Sequence, residues 1–467
     1  MKFLDRKEEI SELHRALNGS KPNFIVVFGR RRLGKSTLIK KVLTSKDVYY
    51  MAADLVGSVQ RVMLKDQLSG KFPEIALADY PDWESLLTML NKLTDSRFTL
   101  CLDEFPYMVN ASPELPSIIQ RLVDSGSMRF NLIICGSSQR MMQNMVLSPS
   151  EPLFGRANAI MDIQPIPIAF LQEALSLGPV ATIEEFCVWG GVPRYWELRE
   201  EYPSLDEAIR GTMLSPTAVL YDEPKRLFLD NMNATVQSES LMSVIAAGAS
   251  RLSEIAARMG REATALSAPL GRLIQMKYLR REIPFGESPK KSKKGIYLIN
   301  DPLMDFYYTF IMPNLSAIGR GRRGFVMDVI KEKFNGYVAT HWEHLCREAV
   351  SDNLYLGRRW KDASRWWGTV AVPGSDAKTS REMEFDVMAE SIDGKAILVG
   401  ECKWTNPEIA SELYNKLMEN ASLLPFAKDK EIVPVIFLKN RPKDSHIHGN
   451  IHLLFPEDII RMAHGED

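Results

Sequence analysis

Gly29-Arg30-Arg31-Arg32-Leu33-Gly34-Lys35-Ser36-Thr37 sets two glycines, a lysine and two hydroxyls at the spacing G-x-x-x-x-G-K-[ST]. This spacing suits a phosphate chain. Backbone N–H groups of such a loop, with the positive end of a following helix, surround the phosphate oxygens. Gly29 and Gly34 allow backbone angles and a close approach that a Cβ would block. Lys35 is placed to reach the outer phosphates, and the Ser36 hydroxyl to ligate Mg²⁺. The run Phe24 to Phe28 before the loop is apolar and β-branched, and Thr37, Leu38, Ile39, Val42 and Leu43 after it follow a helical pattern. Strand, loop and helix in this order predict a nucleoside triphosphate site with ATP as ligand.

A second set of groups completes that chemistry. Phe98 to Phe105 is an apolar strand ending in Asp103-Glu104. Asp103 is placed to hold Mg²⁺ through water, and Glu104 to act as general base on the attacking water. The apolar strand Asn131 to Cys135 ends in Gly136-Ser137-Ser138. A serine there is either a sensor of the γ-phosphate or a helix cap. Arg156, in the turn Pro152 to Arg156, is either an arginine finger, in cis or across a subunit interface, or a structural arginine.

A third group lies far downstream. Glu382 to Ala389 alternates polar and apolar residues, and Ala396 to Trp404 carries Glu401-Cys402-Lys403. Alternation puts Glu401 and Lys403 on one face and Cys402 on the other. A short turn at Asp393-Gly394 brings Asp386 beside Glu401. Two carboxylates suit Mg²⁺ or Mn²⁺, with the lysine at the reacting phosphodiester. This arrangement resembles the PD-(D/E)xK nucleases, without the proline of the nominal motif; a surface ladder of ion pairs is the competing reading. Glu343, on the helical stretch His341 to Glu348, is a further candidate ligand. His446, His448 and His452 read as surface histidines, since no acid or thiolate accompanies them.

The elements that must position these groups follow from periodicity. Strand Val48 to Met51 and helices near Ser58–Leu68 and Trp83–Leu93 stand between the phosphate loop and Asp103, suiting an ATPase with an added central strand. Residues 165 to 235 read as helices. Leu241–Ala247, Leu252–Met259 and Thr264–Met276 are three short helices, the last holding Pro269, and a hairpin tipped by Lys290 to Lys294 follows. That order predicts a winged helix-turn-helix. Its exposed candidates for DNA are Arg261, Thr264, Ser267 and Arg272, and a protein-docking role stands beside the DNA role. Gly319 to Gly324 reads as a flexible basic linker. The formal net charge of −1 excludes a global polycation, so nucleic-acid contacts must come from local patches. Five scattered cysteines without a CxxC pair, a charged amino terminus and no long apolar run predict a cytoplasmic protein without disulfides or a membrane span.

The opening Phe3-Leu4-Asp5-Arg6, the phosphate loop, Leu102-Asp-Glu-Phe-Pro-Tyr107, Cys135-Gly-Ser-Ser138, Pro152-Leu-Phe-Gly-Arg156 and Gly190-Gly-Val-Pro-Arg-Tyr195 together resemble the archaeal-type ATPases, relatives of the STAND signalling ATPases. Trp342 to Val350, Arg365 to Gly368, Glu382 to Ala389 and Gly400 to Trp404 resemble the nuclease-like domain that follows them. The resemblance implies that residues 3 to 6 border the adenine and that Gly190 to Tyr195 belongs to a helical lid. The expected architecture is α/β: a P-loop core with a parallel sheet (1–165), a helical lid (166–235), a winged helix-turn-helix (236–312) and a restriction-endonuclease-like domain (320–467). The expected function is ATP binding and hydrolysis coupled to DNA binding and metal-dependent nucleic-acid cleavage, with a homo-oligomer possible in principle. The alternative is a nucleotide-dependent regulator or scaffold with a non-cleaving tail.

Overall fold

The computed structural model describes residues 3–229, 235–371, 380–405, 410–427, 429–442 and 451–464. His446 and His448 lie outside the described residues. Strands β1 (Phe24–Phe28), β2 (Val48–Met51), β3 (Thr99–Asp103), β4 (Asn131–Gly136) and β5 (Ala159–Asp162) form one parallel sheet in the order β2-β3-β4-β1-β5. All residues of β1, β3 and β4 are buried, as a parallel sheet covered on both faces requires. Alternate residues of β1 feed two different cores. Phe24, Val26 and Phe28 face the helices of residues 57 to 147, whereas Ile25 and Val27 face the helices beyond residue 165. The strand β4 stands between β1 and β3. Phosphate loop and Asp103 therefore face each other across the end of one intervening strand.

Five helices between Ile168 and Leu229 follow, then Thr235–Ala246, Leu252–Met259 and Ala263–Gln275, and a hairpin of β6 (Leu279–Glu282) and β7 (Ile296–Ile299). The helix Ala263–Gln275 runs through Pro269 without a break. One continuous core joins the sheet's second face, these helices and the start of the helix Arg323–Val350.

Gly319–Gly324 is a turn between helices, not a linker. The helix Leu315–Gly319 ends there, Gly321 supplies a positive φ of 74°, and the long helix begins at Arg323. Val326, Met327 and Ile330 then bury themselves in the upstream core. The arginines suggested a solvated hinge, but the apolar stripe behind them decides the structure.

Downstream, β8 (Leu354–Tyr355) and β9 (Arg358–Arg359) form a small hairpin. A mixed sheet follows in the order β10-β11-β12-β13-β14, from β10 (Ser364–Ala371), β11 (Ser380–Glu390), β12 (Ala396–Lys403), β13 (Glu431–Leu438) and β14 (His452–Leu454). The first three strands are antiparallel, and β12, β13 and β14 are parallel. The second half of the long helix covers one face of this sheet with Val338, Trp342, Leu345 and Cys346. Among the described residues no helix is long and apolar enough to cross a membrane.

Candidate functional sites

Burying β1 on both sides aims its carboxyl end at a cavity of about 540 Å³, walled by the phosphate loop, Phe3, Leu4, Arg6, Glu104, Ser137, Pro193 and Arg194. A Cβ on Gly29, whose φ is +152°, would lie 2.6 Å from the Ile163 carbonyl oxygen. Gly34, at φ +83°, precedes the helix Lys35–Val42 and leaves its first N–H groups facing the cavity wall. Lys35 folds back along the loop and donates to the carbonyls of Gly29 (2.8 Å) and Arg30 (3.0 Å). Burial pushes its ammonium below the usual lysine range. A phosphate chain offers that cation a better partner than two carbonyl dipoles.

Ser36 donates to Asp103 Oδ2 at 2.6 Å. Tyr49, on the neighbouring strand, donates to the same oxygen. Burial works against the Asp103 charge, yet the bonds from Ser36 and Tyr49 hold its carboxyl below the ordinary range. Ser36 and Asp103 are thus hard oxygen donors already in contact, a set that fits Mg²⁺. Glu104 takes a left-handed φ of 51° at the strand end, and its carboxylate accepts from the Ser137 hydroxyl at 2.9 Å. Thr37 and Leu33 complete the wall.

The three loop arginines go three ways. Arg31 stays at the site, donating to Tyr107 OH at 3.1 Å. Arg32 reaches Glu223 Oε2 at 2.8 Å, an ion pair out of hydrogen-bond alignment, over the Tyr195 ring. Arg30 is buried against Asp301 and over the Tyr278 ring. Burial opposes its charge, but Asp301 outweighs it and holds the guanidinium above its usual range. Arg6 clamps the amino-terminal segment to the site by donating to the Gln164 carbonyl at 2.6 Å.

Arg156 is not brought to this cavity. Its guanidinium is held on the surface by Asp124 at 2.9 Å and by the Phe154 carbonyl at 3.0 Å. As a finger in cis it is out of place, because a bidentate partner fixes it elsewhere. Sequence reasoning missed Tyr49, Tyr107, Glu223 and Asp301. Only Tyr49 left a signal: it lies one strand from Asp103, paired opposite Cys101.

The tail carries the other cluster. Val387 pairs with Gly400, and one step further the Asp386 side chain replaces the ladder, its Oδ2 accepting from Cys402 N at 2.8 Å. Glu401 and Lys403 share the half-buried face of β12, and Lys403 donates to Glu401 Oε1 at 2.6 Å. Burial, then the Glu401 charge, pushes Asp386 up to about 6. Burial, then Asp386, pushes Glu343 of the long helix up to about 7. Carboxyls crowded this way bind protons or a cation. Arg347 donates to the Asp386 carbonyl at 2.8 Å and lies 4.0 Å from Glu343. Among the described residues no group of three or more acids, histidines or cysteines is arranged to hold a metal, so a cation here would rest on two carboxylates and water. His452 begins β14 and stacks edge-on to Tyr355.

A parallel sheet in this order, with a glycine-lysine-serine loop facing an acidic strand end, defines the P-loop ATPase class. Residues 3–176 match the family described as an ATPase domain predominantly from Archaea, and residues 307–418 match DUF234, described as archaeal and bacterial proteins of unknown function. An uncharacterized protein of Methanocaldococcus jannaschii is 30% identical over 441 residues, covering 89% of this chain and 91% of that one. The chain belongs to this archaeal-type ATPase family. An uncharacterized ATP-binding protein of the same organism is 50% identical over 46 residues, 10% of this chain and 78% of that one. The Walker-type ATPase of Pyrococcus abyssi has the same fold over 66% of this chain and 96% of its own, with a TM-score of 0.51 and 18% identity.

Proposed function

We propose that this ATPase couples its nucleotide state to DNA binding and to metal-dependent cleavage of nucleic acid by its tail. In this reading ATP enters the 540 Å³ cavity, with its adenine against Phe3 and Leu4. Lys35 leaves its two carbonyls for the outer phosphates. Ser36 and Asp103 hold Mg²⁺, which neutralises phosphate charge. Glu104 leaves Ser137 and takes the proton of the attacking water, and Ser137 then reports the γ-phosphate. Arg156 serves only if a second copy of the chain presents it.

The units are a core to residue 165, a lid to 235, a winged helix to 312 and a nuclease-like domain from 320. The Lys290–Lys294 tip is exposed and suits phosphate contacts. Arg261, Thr264 and Ser267 are exposed on or beside the third helix. All five cysteines are buried and free, which supports a cytoplasmic setting.

One observation carries the nuclease reading: Asp386, Glu401 and Lys403 converge on one strand pair, with Glu343 facing them from the long helix. Asp386 and Glu401 would hold Mg²⁺ or Mn²⁺, which supplies an acidified water when bound. Lys403 then moves from Glu401 to the scissile phosphate. The test is cleavage of DNA and RNA with and without ATP, using Asp386→Ala and Lys403→Ala. Cutting by the parent protein, lost in both variants, supports the reading; no cutting on any substrate refutes it. The Lys403–Glu401 bond and the lack of a three-ligand group among the described residues favour a second reading, a nucleotide-dependent regulator with a non-cleaving tail.

A further inference from the structure

A second cavity, of about 430 Å³, lies on the other side of the phosphate loop, enclosed between the sheet, the lid helices, the β6–β7 unit and the tail. Leu33 and Ile166 line both cavities, so the loop is the partition between them. The volume falls in the range of small-molecule sites. The lining is largely apolar, including Ile163, Ile168, Phe186 and Ile459. Its charged groups are mostly spoken for. Lys277 pairs with Asp162 at 2.6 Å, and His344 lies 3.4 Å from Glu348.

Arg30 is the exception. It belongs to this wall and is only 6% exposed. Nη1 serves Asp301, while Nε and Nη2 have no hydrogen-bond partner among the described residues. Those two nitrogens form one edge of the guanidinium, the fork that grips a carboxylate through two parallel bonds. Buried donors of a native protein are seldom left without an acceptor.

We propose that this cavity is an effector site for a small organic carboxylate, with an apolar body among the isoleucines and its carboxylate on the free edge of Arg30. Because Arg30 and Leu33 are residues of the phosphate loop, occupancy here alters the loop that receives the nucleotide. By linkage the nucleotide alters this site equally.

The test uses the full chain and 2-anthracenecarboxylate, followed by fluorescence polarisation, with 2-anthracenemethanol as the neutral analogue. The acid should bind saturably at one site, and the neutral analogue about tenfold more weakly. Ala463→Phe and Ala349→Leu, which fill the cavity from two different helices' ends and faces, should each weaken the acid by about tenfold or more. Saturating acid should shift the affinity for a fluorescent ADP analogue, and ADP should shift the acid by the same factor. Equal binding of acid and alcohol, or binding untouched by either filling substitution, overturns the proposal. Should one filled variant fail to fold, as circular dichroism would show, the other variant and the analogue pair still decide.

Discussion

Arg32→Ala should weaken the junction between the phosphate loop and the helical region by an amount with a calculable ceiling. Glu223 is 1% exposed, accepts from Tyr195 OH at 2.9 Å and has Arg32 at 2.8 Å. Burial pushes its carboxyl above the ordinary 4.5, while Arg32 and Tyr195 pull it back. Without Arg32 the carboxylate either stays charged and uncompensated, at about 3–5 kcal/mol, or takes up a proton. Protonation at pH 7 costs about 3.4 kcal/mol, the distance from 4.5 at about 1.4 kcal/mol per pH unit. The cheaper route sets the ceiling, which shrinks to almost nothing near pH 4.5. The sign follows from proton binding. A raised folded-state pKa means that the folded chain keeps a proton the unfolded chain releases. Stability is therefore lost as pH rises from 4.5 through the folded value, and Arg32→Ala extends that window upward. Urea unfolding, read by the buried Trp189 and Trp196 of the same core, compares the parent, Arg32→Ala, Glu223→Gln and the double variant. Arg32→Ala should cost roughly 2–3 kcal/mol more at pH 7 than at pH 5. The double variant should cost about 2 kcal/mol less than the two single losses taken together. Equal losses at both pH values, or strict additivity, would refute the pairing.

Other expectations are direct. Glu104→Gln should keep ATP binding, measured by calorimetry, while phosphate release falls by about 10²-fold or more; Lys35→Ala should lose binding itself. Mn²⁺ should raise the tail's melting temperature in the parent and not in Asp386→Ala. Because Asp386 sits at about 6 and Glu343 at about 7, protons compete with the cation, so the Mn²⁺ shift should grow as pH rises toward 7 and then level off. Changing Lys290, Lys291, Lys293 and Lys294 to alanine should flatten the salt dependence of DNA binding by about 3–4 in the log–log slope, and an unchanged slope would remove the hairpin tip from the interface.

The nucleotide site was legible because its chemistry is local. A strand, a loop and a helix within a few turns of chain bring Gly29 to Thr37 together whatever the rest does, and Asp103-Glu104 ends its own apolar strand. The residues that hold these groups were not legible. Glu223 and Asp301 meet Arg32 and Arg30 across intervals that no periodicity encodes, and Arg156 looked catalytic only because Asp124, its partner, is brought up by folding. Gly319 to Gly324 misled for a different reason. Four hydrophilic or flexible residues in six resemble a hinge, yet the decisive signal was Val326, Met327 and Ile330 at helical spacing just beyond. In the tail, alternation correctly set Glu401 and Lys403 on one face; the contribution of Glu343 depended on a helix crossing the sheet.

That helix bears on how the parts work together. Arg323–Val350 has 28 residues, about 42 Å of continuous backbone. Its first turns are buried with the ATPase sheet and lid, and its last turns with the tail sheet. Between them His341 accepts or donates to Asp305 at 2.9 Å, four residues from the Asp301 that holds Arg30 of the phosphate loop. Two residues beyond His341, Glu343 faces Asp386. Short, rigid steps therefore join the loop to the tail carboxylates: Arg30 to Asp301, one helical turn to Asp305, across to His341, and along to Glu343. A break in the helix separates a structural bridge from a transmitting one. Gly336→Pro, where a Cβ meets nothing within 4 Å, removes one helical bond with little steric crowding of neighbours. If the helix transmits, this variant should retain ATP turnover while tail Mn²⁺ binding ceases to respond to ATP. If both properties and their coupling survive, the two ends act independently.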